Sequence, residues 1–145
     1  SRGRGDAYKR QDLPLPAYAK AGDAGADLIA NEDVTLSPGG GRALIGTGIA
    51  IAITPGYAGF GQPRSVIALR HGITCLNTPG LIDSGYRDEL KVLLINTDPN
   101  EPYEVQRGDR IAQLVIQKIE EAVWEEVDKL DETERGLGGF GHSGR

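Results

Sequence analysis

The sequence predicts an all-β domain, and three observations carry that prediction. Apolar residues come in short runs, several runs alternate with period two, and Gly, Pro, Asn and Asp turn residues separate them. Chains of many short strands with Gly/Pro turns fold as a sandwich, a jelly roll or a barrel. At 145 residues the chain has the size of one domain, long enough to bury a core without disulfides or a structural metal. Hydrophobic residues make up 39% of it, so only the two ends have the composition of an unfolded chain.

Each element can be justified in order. Residues 1–6 are set aside from fold reasoning. Val34-Thr35-Leu36 is the first predicted strand, and Ser37-Pro38-Gly39-Gly40-Gly41 turns the chain after it. Ile49, Ile51 and Ile53 then lie on one face of a strand that Pro55-Gly56 stops. Further strands are predicted over 57–62, 73–77, 89–96 and 103–106, with Asp98-Pro99-Asn100 as the turn between the last two. Pro63-Arg64-Ser65 ahead of Val66-Ile67-Ala68-Leu69 opens a short helix with Ser65 near its start. Between Arg110 and Leu130 two signals conflict. Ile111, Leu114, Val115, Ile119, Ala122, Val123, Val127 and Leu130 follow helical spacing, whereas Leu114-Val115-Ile116 and Val123-Trp124 are β-prone. Residues 132–145 are Gly-rich without apolar periodicity and read as a flexible arm.

Charge and cysteine content narrow the function classes. A formal charge of -5 and a pI near 5.0 argue against a protein that wraps nucleic acid, which needs a broad basic surface. A few arginines can still hold a small anion. Cys75 is the single cysteine and cannot form an intramolecular disulfide, so a reducing, cytoplasmic compartment is expected. No run approaches the roughly 18 apolar residues of a membrane span, and no signal-peptide pattern opens the chain, so no membrane partner is expected. Arg-Gly-Asp occurs at Arg4 and again at Arg107, and an adhesive role is given no weight. Gly136, Gly138 and Gly141 spell G-x-G-x-x-G, but a dinucleotide fold needs that loop between a strand and a helix. His71 and His142 are the only histidines, which makes a zinc-type site improbable. The acidic residues from Glu120 to Glu134 read as a solvated face rather than a carboxylate metal site.

Five segments carry the functional signal. They are Asp23-Ala24-Gly25-Ala26-Asp27-Leu28, Pro63-Arg64-Ser65, the stretch from Asn77-Thr78-Pro79-Gly80 to Asp83-Ser84-Gly85-Tyr86-Arg87, Arg107-Gly108-Asp109-Arg110-Ile111-Ala112-Gln113-Leu114, and Arg135-Gly136-Leu137-Gly138-Gly139-Phe140-Gly141-His142-Ser143-Gly144. A hairpin over 77–86 can present backbone N–H and C=O groups and the Asn77 amide to the edge of a planar base, and such groups distinguish uracil from cytosine. Together the five resemble the trimeric dUTPase family, in that family's order.

That resemblance implies a distorted β-barrel or jelly roll, with an N-terminal segment 1–12, a barrel 13–131 and an arm 132–145 that closes over the site. It implies a homotrimer with sites at the subunit interfaces. The first, second and fourth segments of a site come from one subunit, the third from a neighbour and the arm from the remaining one. The implied activity is hydrolysis of dUTP to dUMP and pyrophosphate, which keeps uracil out of DNA and supplies dUMP. By the same resemblance Asp83 is expected to be the catalytic residue, orienting and deprotonating water and holding the 3′-hydroxyl. Tyr86 packs on the sugar and excludes a 2′-hydroxyl, while Asn77 and Ile82 contact the nucleoside. Arg64, Ser65, Gln113 and Arg135 contact phosphates, Phe140 stacks on uracil with Gly141 beside it, and Asp27, Arg110 and Ser143 support. Mg²⁺ is the implied cofactor, held by the triphosphate and waters, with Asp27 able to reach it through water. Three positions depart from the family pattern: Val66 for a small residue, Asp88 for Gly, and His142 for Ser or Thr. The nearest rivals are dCTP deaminase, which shares the fold, and a nucleotide-binding regulator on the same fold.

Overall fold

A computed structural model describes residues 5–141, and within them the chain is all-β with one short helix. Two four-stranded antiparallel sheets make the body. The first, in the order β1-β4-β8-β6, joins Asp6–Lys9, Arg42–Ala52, Glu89–Asn96 and Ile73–Cys75. The second, in the order β2-β10-β5-β7, joins Gly25–Ile29, Arg110–Lys118, Tyr57–Gln62 and Gly80–Ile82. Val34–Leu36 (β3) and Tyr103–Val105 (β9) form a separate two-stranded ribbon, and Ser65–His71 is helix α1. The sheets do not close on one another. The architecture is of the jelly-roll type, the second of the two forms expected, and not a closed barrel.

Alternation builds the core. In β8 Leu90, Val92, Leu94 and Asn96 point inward and are buried, while Lys91 between them is exposed. The apolar three pack with Leu28, Ile45, Ile73, Val105, Ile111 and Leu114 in one continuous cluster between the sheets. Among the described residues two polar side chains are buried as well, and both are satisfied. Thr47 Oγ1 donates to the Leu90 carbonyl at 2.7 Å. The Asn96 amide donates to the carbonyls of Leu36 and Glu101 at 3.1 and 2.9 Å, which ties the ends of β8 and β3 to the turn that follows.

The helical spacing between Arg110 and Leu130 does not produce a helix. β10 runs to Lys118, and residues 119–130 carry no regular helix or strand, so neither the helix nor a second strand forms there. A register shift between Arg110 and Ala112 puts Ile111 and Ala112 both inside and breaks the period-two pattern. Beyond β10 the apolar residues stand in solvent: Val123, Trp124 and Leu130 are 95%, 90% and 80% exposed.

Candidate active site

The polar half of the site is built on the second sheet. Asp27 of β2 and Gln62 of β5 are both register partners of Gln113 on β10, so the three side chains project from one face. Arg64 follows β5 with extended backbone (φ -92°, ψ 127°) and occupies the cap position of α1. Its Nε lies 3.8 Å from Asp27 Oδ1, and Arg110 Nη1 lies 3.8 Å from Asp27 Oδ2. One carboxylate thus sits between two guanidinium groups. Arg64 Nη1 donates to the Arg110 carbonyl at 3.3 Å, whereas its Nε is buried with no hydrogen-bond partner among the described residues. A cationic N–H left in that state is costly unless an anionic oxygen reaches it.

Gly25 explains how Gln113 is seated. A Cβ there would lie 3.0 Å from Gln113 Oε1 and 3.1 Å from its Cβ, closer than side chains normally approach. The missing side chain in Ala24-Gly25-Ala26 makes room for the Gln113 amide. Ser65, expected near the helix start, is the first residue of α1; no side chain caps this helix, and Ser65 is exposed. Val66 is 49% exposed.

The apolar half is a cleft of about 190 Å³ whose lining includes Asn77, Gly80, Ile82, Tyr86, Leu28, Ala112 and Val92. Pairing of Gly59 with Ile82 and of Gly61 with Gly80 docks β7 on β5. A Cβ on Gly80 would come within 3.2 Å of Asn77 Nδ2, so the Asn77 amide lies against bare backbone. Tyr86 is held at both ends: its N–H donates to the Asp83 carbonyl at 3.0 Å and its hydroxyl to the Glu89 carbonyl at 2.8 Å. Burial raises the Tyr86 hydroxyl above its ordinary pKa, and the Asp88 and Glu89 carboxylates raise it further, so it stays a donor. Asp83 is exposed where the loop leaves β7. Asp88 is used locally, its Oδ1 accepting the Glu89 N–H at 2.7 Å where β8 begins.

These halves do not face each other within one chain. Strand alternation sends Asp27 and Gln113 to one side of the second sheet and their neighbours Leu28 and Ala112 to the other, where the cleft and core lie. The arm is apart from both. Arg135 Nη2 donates to the Gly139 carbonyl at 3.2 Å, Phe140 is fully exposed, and neither they nor Gly141 line the cleft. Ser143 and His142 lie outside the described residues. Asp27, Arg64, Arg110 and Gln113 are therefore brought together, as are Asn77, Ile82 and Tyr86, while Arg135, Phe140 and Gly141 are not joined to either group. Sequence reasoning gave no individual role to Gly25, Gly80 or Glu89. The signal for the glycines was their place beside polar residues in short motifs.

The hairpin expected over 77–86 does not form, because β7 pairs with β5 and residues 83–88 are a loop. Fold and cleft define a class: jelly-roll proteins with a polar-edged cleft beside a short strand and its loop and an arginine–carboxylate cluster on the same sheet. The family model described as dUTPase matches residues 11–144, and the chain belongs to the dUTPase family. It is 60% identical over 133 residues to the deoxyuridine 5'-triphosphate nucleotidohydrolase of Thermobifida fusca (strain YX), covering 92% of this chain and 74% of that protein. Identity to the enzyme of the same name from Cutibacterium acnes is 54% over 130 residues, covering 90% and 85%. Among solved structures, the Staphylococcus bacteriophage 80alpha dUTPase with dUpNHpp superposes with a TM-score of 0.86 at 28% identity, over 98% of this chain and 99% of that one. A point mutant of the dUTPase from phage phi11 of S. aureus, which coordinates a structural Mg(II) ion, shares the fold with a TM-score of 0.78 at 24% identity, over 87% and 97%.

Proposed function

We infer that this chain hydrolyses dUTP to dUMP and pyrophosphate, by attack of water on the α-phosphorus. The observation that carries the reading is the cleft, which Asn77, β7 and Tyr86 line together. Its polar edge suits uracil, and the ring suits a deoxyribose. The phosphate chain would run to Arg64, Ser65 and Gln113, where the Arg64 Nε, ion-paired with Asp27 but without a hydrogen bond among the described residues, supplies a donor for a phosphate oxygen. Asp83 takes the proton of the attacking water, the new P–O bond forms, and the bond to the β-phosphate oxygen breaks as pyrophosphate leaves.

Asp27 is the hard oxygen donor of the cluster, and one carboxylate with waters and phosphate oxygens fits a Mg²⁺ that arrives with the nucleotide. When bound, that ion would neutralise charge on the triphosphate. Arg64 and Arg110 hold Asp27 in place whether or not the ion is there.

The site is proposed to be shared in a homotrimer. Supporting this, the arginine cluster and the cleft open on opposite faces of one sheet, so a second copy is needed to join them. The exposed apolar residues of 119–130 also need a partner surface, and the arm with Arg135, Phe140, Gly141 and Ser143 would close over a site made by other subunits. Pyrophosphate release measured over dUTP, dTTP, dCTP and UTP with Mg²⁺ tests the activity. Preference for dUTP by well over about tenfold in kcat/KM is expected. Ammonia release from dCTP would overturn it in favour of a deaminase, and tight binding of a non-hydrolysable dUTP analogue without turnover would favour a regulator.

A further inference from the structure

The segment that carries both Asp83 and Tyr86 is a loop, residues 83–88, running from the end of β7 to the start of β8. A loop that must hold a sugar-packing ring and a catalytic carboxylate needs a defined shape, and the ladder cannot supply it here. Gly85 lies in its middle, with open space where a Cβ would stand. Glycine moves readily among backbone conformations, so the loop has a soft point between Asp83 and Tyr86.

Arg87 spans that soft point. Its Nη1 donates to the carbonyl of Ser84, one residue before Gly85, at 2.6 Å, and to the carbonyl of Tyr86, one residue after it, at 3.0 Å. Both bonds leave one nitrogen and are charge-assisted; the Ser84 bond crosses Gly85, and the Tyr86 bond holds the guanidinium against the peptide that precedes Arg87. The Tyr86 ring is anchored further: its hydroxyl binds the Glu89 carbonyl, and the Glu89 carboxylate accepts the Gly48 N–H at 3.2 Å on β4. Ring and loop backbone are thus fixed separately, the ring by Glu89 and the backbone by Arg87 together with the Tyr86 N–H bond to the Asp83 carbonyl.

We propose that Arg87 is a positioning residue that ties the loop across Gly85 and so sets where Asp83 and Tyr86 stand relative to the sugar. Arg87 is exposed, and the tie adds little to global stability; its effect falls on selectivity. The proposal rests on the reading of the cleft as a deoxynucleoside site.

Kinetics of the full chain, Arg87→Ala, Arg87→Lys and the double variant Arg87→Ala with Gly85→Ala test it, using dUTP and UTP with Mg²⁺. Arg87→Ala should lower the dUTP/UTP ratio of kcat/KM by about tenfold or more, with the melting temperature almost unchanged. Arg87→Lys, which can place one nitrogen near both carbonyls, should restore part of the ratio. Gly85→Ala in the Arg87→Ala background should also restore part of it, because Ala stiffens the soft point and the space for its Cβ is open. An equal loss on dUTP and UTP would mean that Arg87 acts on the triphosphate, and an unchanged ratio would mean that it acts on nothing in the site; either overturns the proposal. Absence of dUTP turnover in the unmodified chain would instead sink the functional reading, and the two failures are told apart by that control.

Discussion

Asn96→Ala should be among the most damaging single changes outside the site. The side chain is 1% exposed and makes three hydrogen bonds: two donated to the Leu36 and Glu101 carbonyls, at 3.1 and 2.9 Å, and one accepted from the Asp98 N–H at 3.0 Å. Each such bond contributes about 1 kcal/mol net, and stranding a buried partner costs more than losing the bond. The turn after β8 can let water reach the Glu101 and Asp98 groups, but the Leu36 carbonyl belongs to a fully buried residue. A loss of roughly 2–4 kcal/mol follows, a large part of the 5–15 kcal/mol typical of a domain. With a urea slope of about 2 kcal/mol per M, the midpoint should fall by roughly 1–2 M. Urea unfolding followed by far-UV circular dichroism, at one fixed chain concentration, measures it. A shift worth less than about 0.5 kcal/mol at unchanged slope would refute the reasoning and mean that β8, β3 and the turn hold without the amide.

Three further outcomes are expected. Asp83→Asn keeps the shape and removes the base, so kcat should fall by about 10²-fold to 10⁴-fold while dUTP-analogue binding is kept; single-turnover kinetics and calorimetry separate the two. Phe140→Ala should weaken the closed nucleotide complex by about 1–3 kcal/mol, and because the ring is fully exposed in the isolated chain the melting temperature should not move. Asp98 is held below its ordinary value of 3.8 by the N–H groups of Glu101 and Asn100, and Asp12 by the Arg107 side chain. A depressed carboxyl contributes stability above the unfolded value, and that contribution is lost as pH falls through the folded one. Thermal melts carried below about pH 4 should therefore decline less steeply for Asp98→Asn than for the parent, and parallel curves would argue against that role.

Much of the fold is legible wherever one face of a strand is buried. The strand over 89–96 falls where alternation places it, the strand over 57–62 forms as expected although its burial does not alternate, and Pro63-Arg64-Ser65 does open a short helix. β2 is harder to read, because Gly25-Ala26-Asp27-Leu28-Ile29 carries Gly, Ala and Asp, which are poor strand formers, and its strand character comes from pairing with β10. β1 is four exposed residues with no apolar face and exists through its pairing with β4. The helical spacing after Arg110 is an accident of a bulged strand followed by an irregular stretch, where exposed apolar residues mimic a period they do not use. For the site, charged residues in short motifs reveal the cluster of Asp27, Arg64, Arg110 and Gln113. What the motifs cannot carry is the facing of the sheet, which separates that cluster from Asn77 and Tyr86, because facing depends on which strands pair.

Cys75 gives the protein a built-in clock. It is the one cysteine of the sequence, it ends β6, and it is buried where the lining of the cleft meets the core. Burial pushes its thiol up to about 11, so near neutral pH only about one molecule in ten thousand carries the thiolate while the strand is closed. A thiol reagent must wait for β6 to lift off β8, and the labelling rate counts those openings. A nucleotide that fills the cleft should slow the count, reporting occupancy without any turnover.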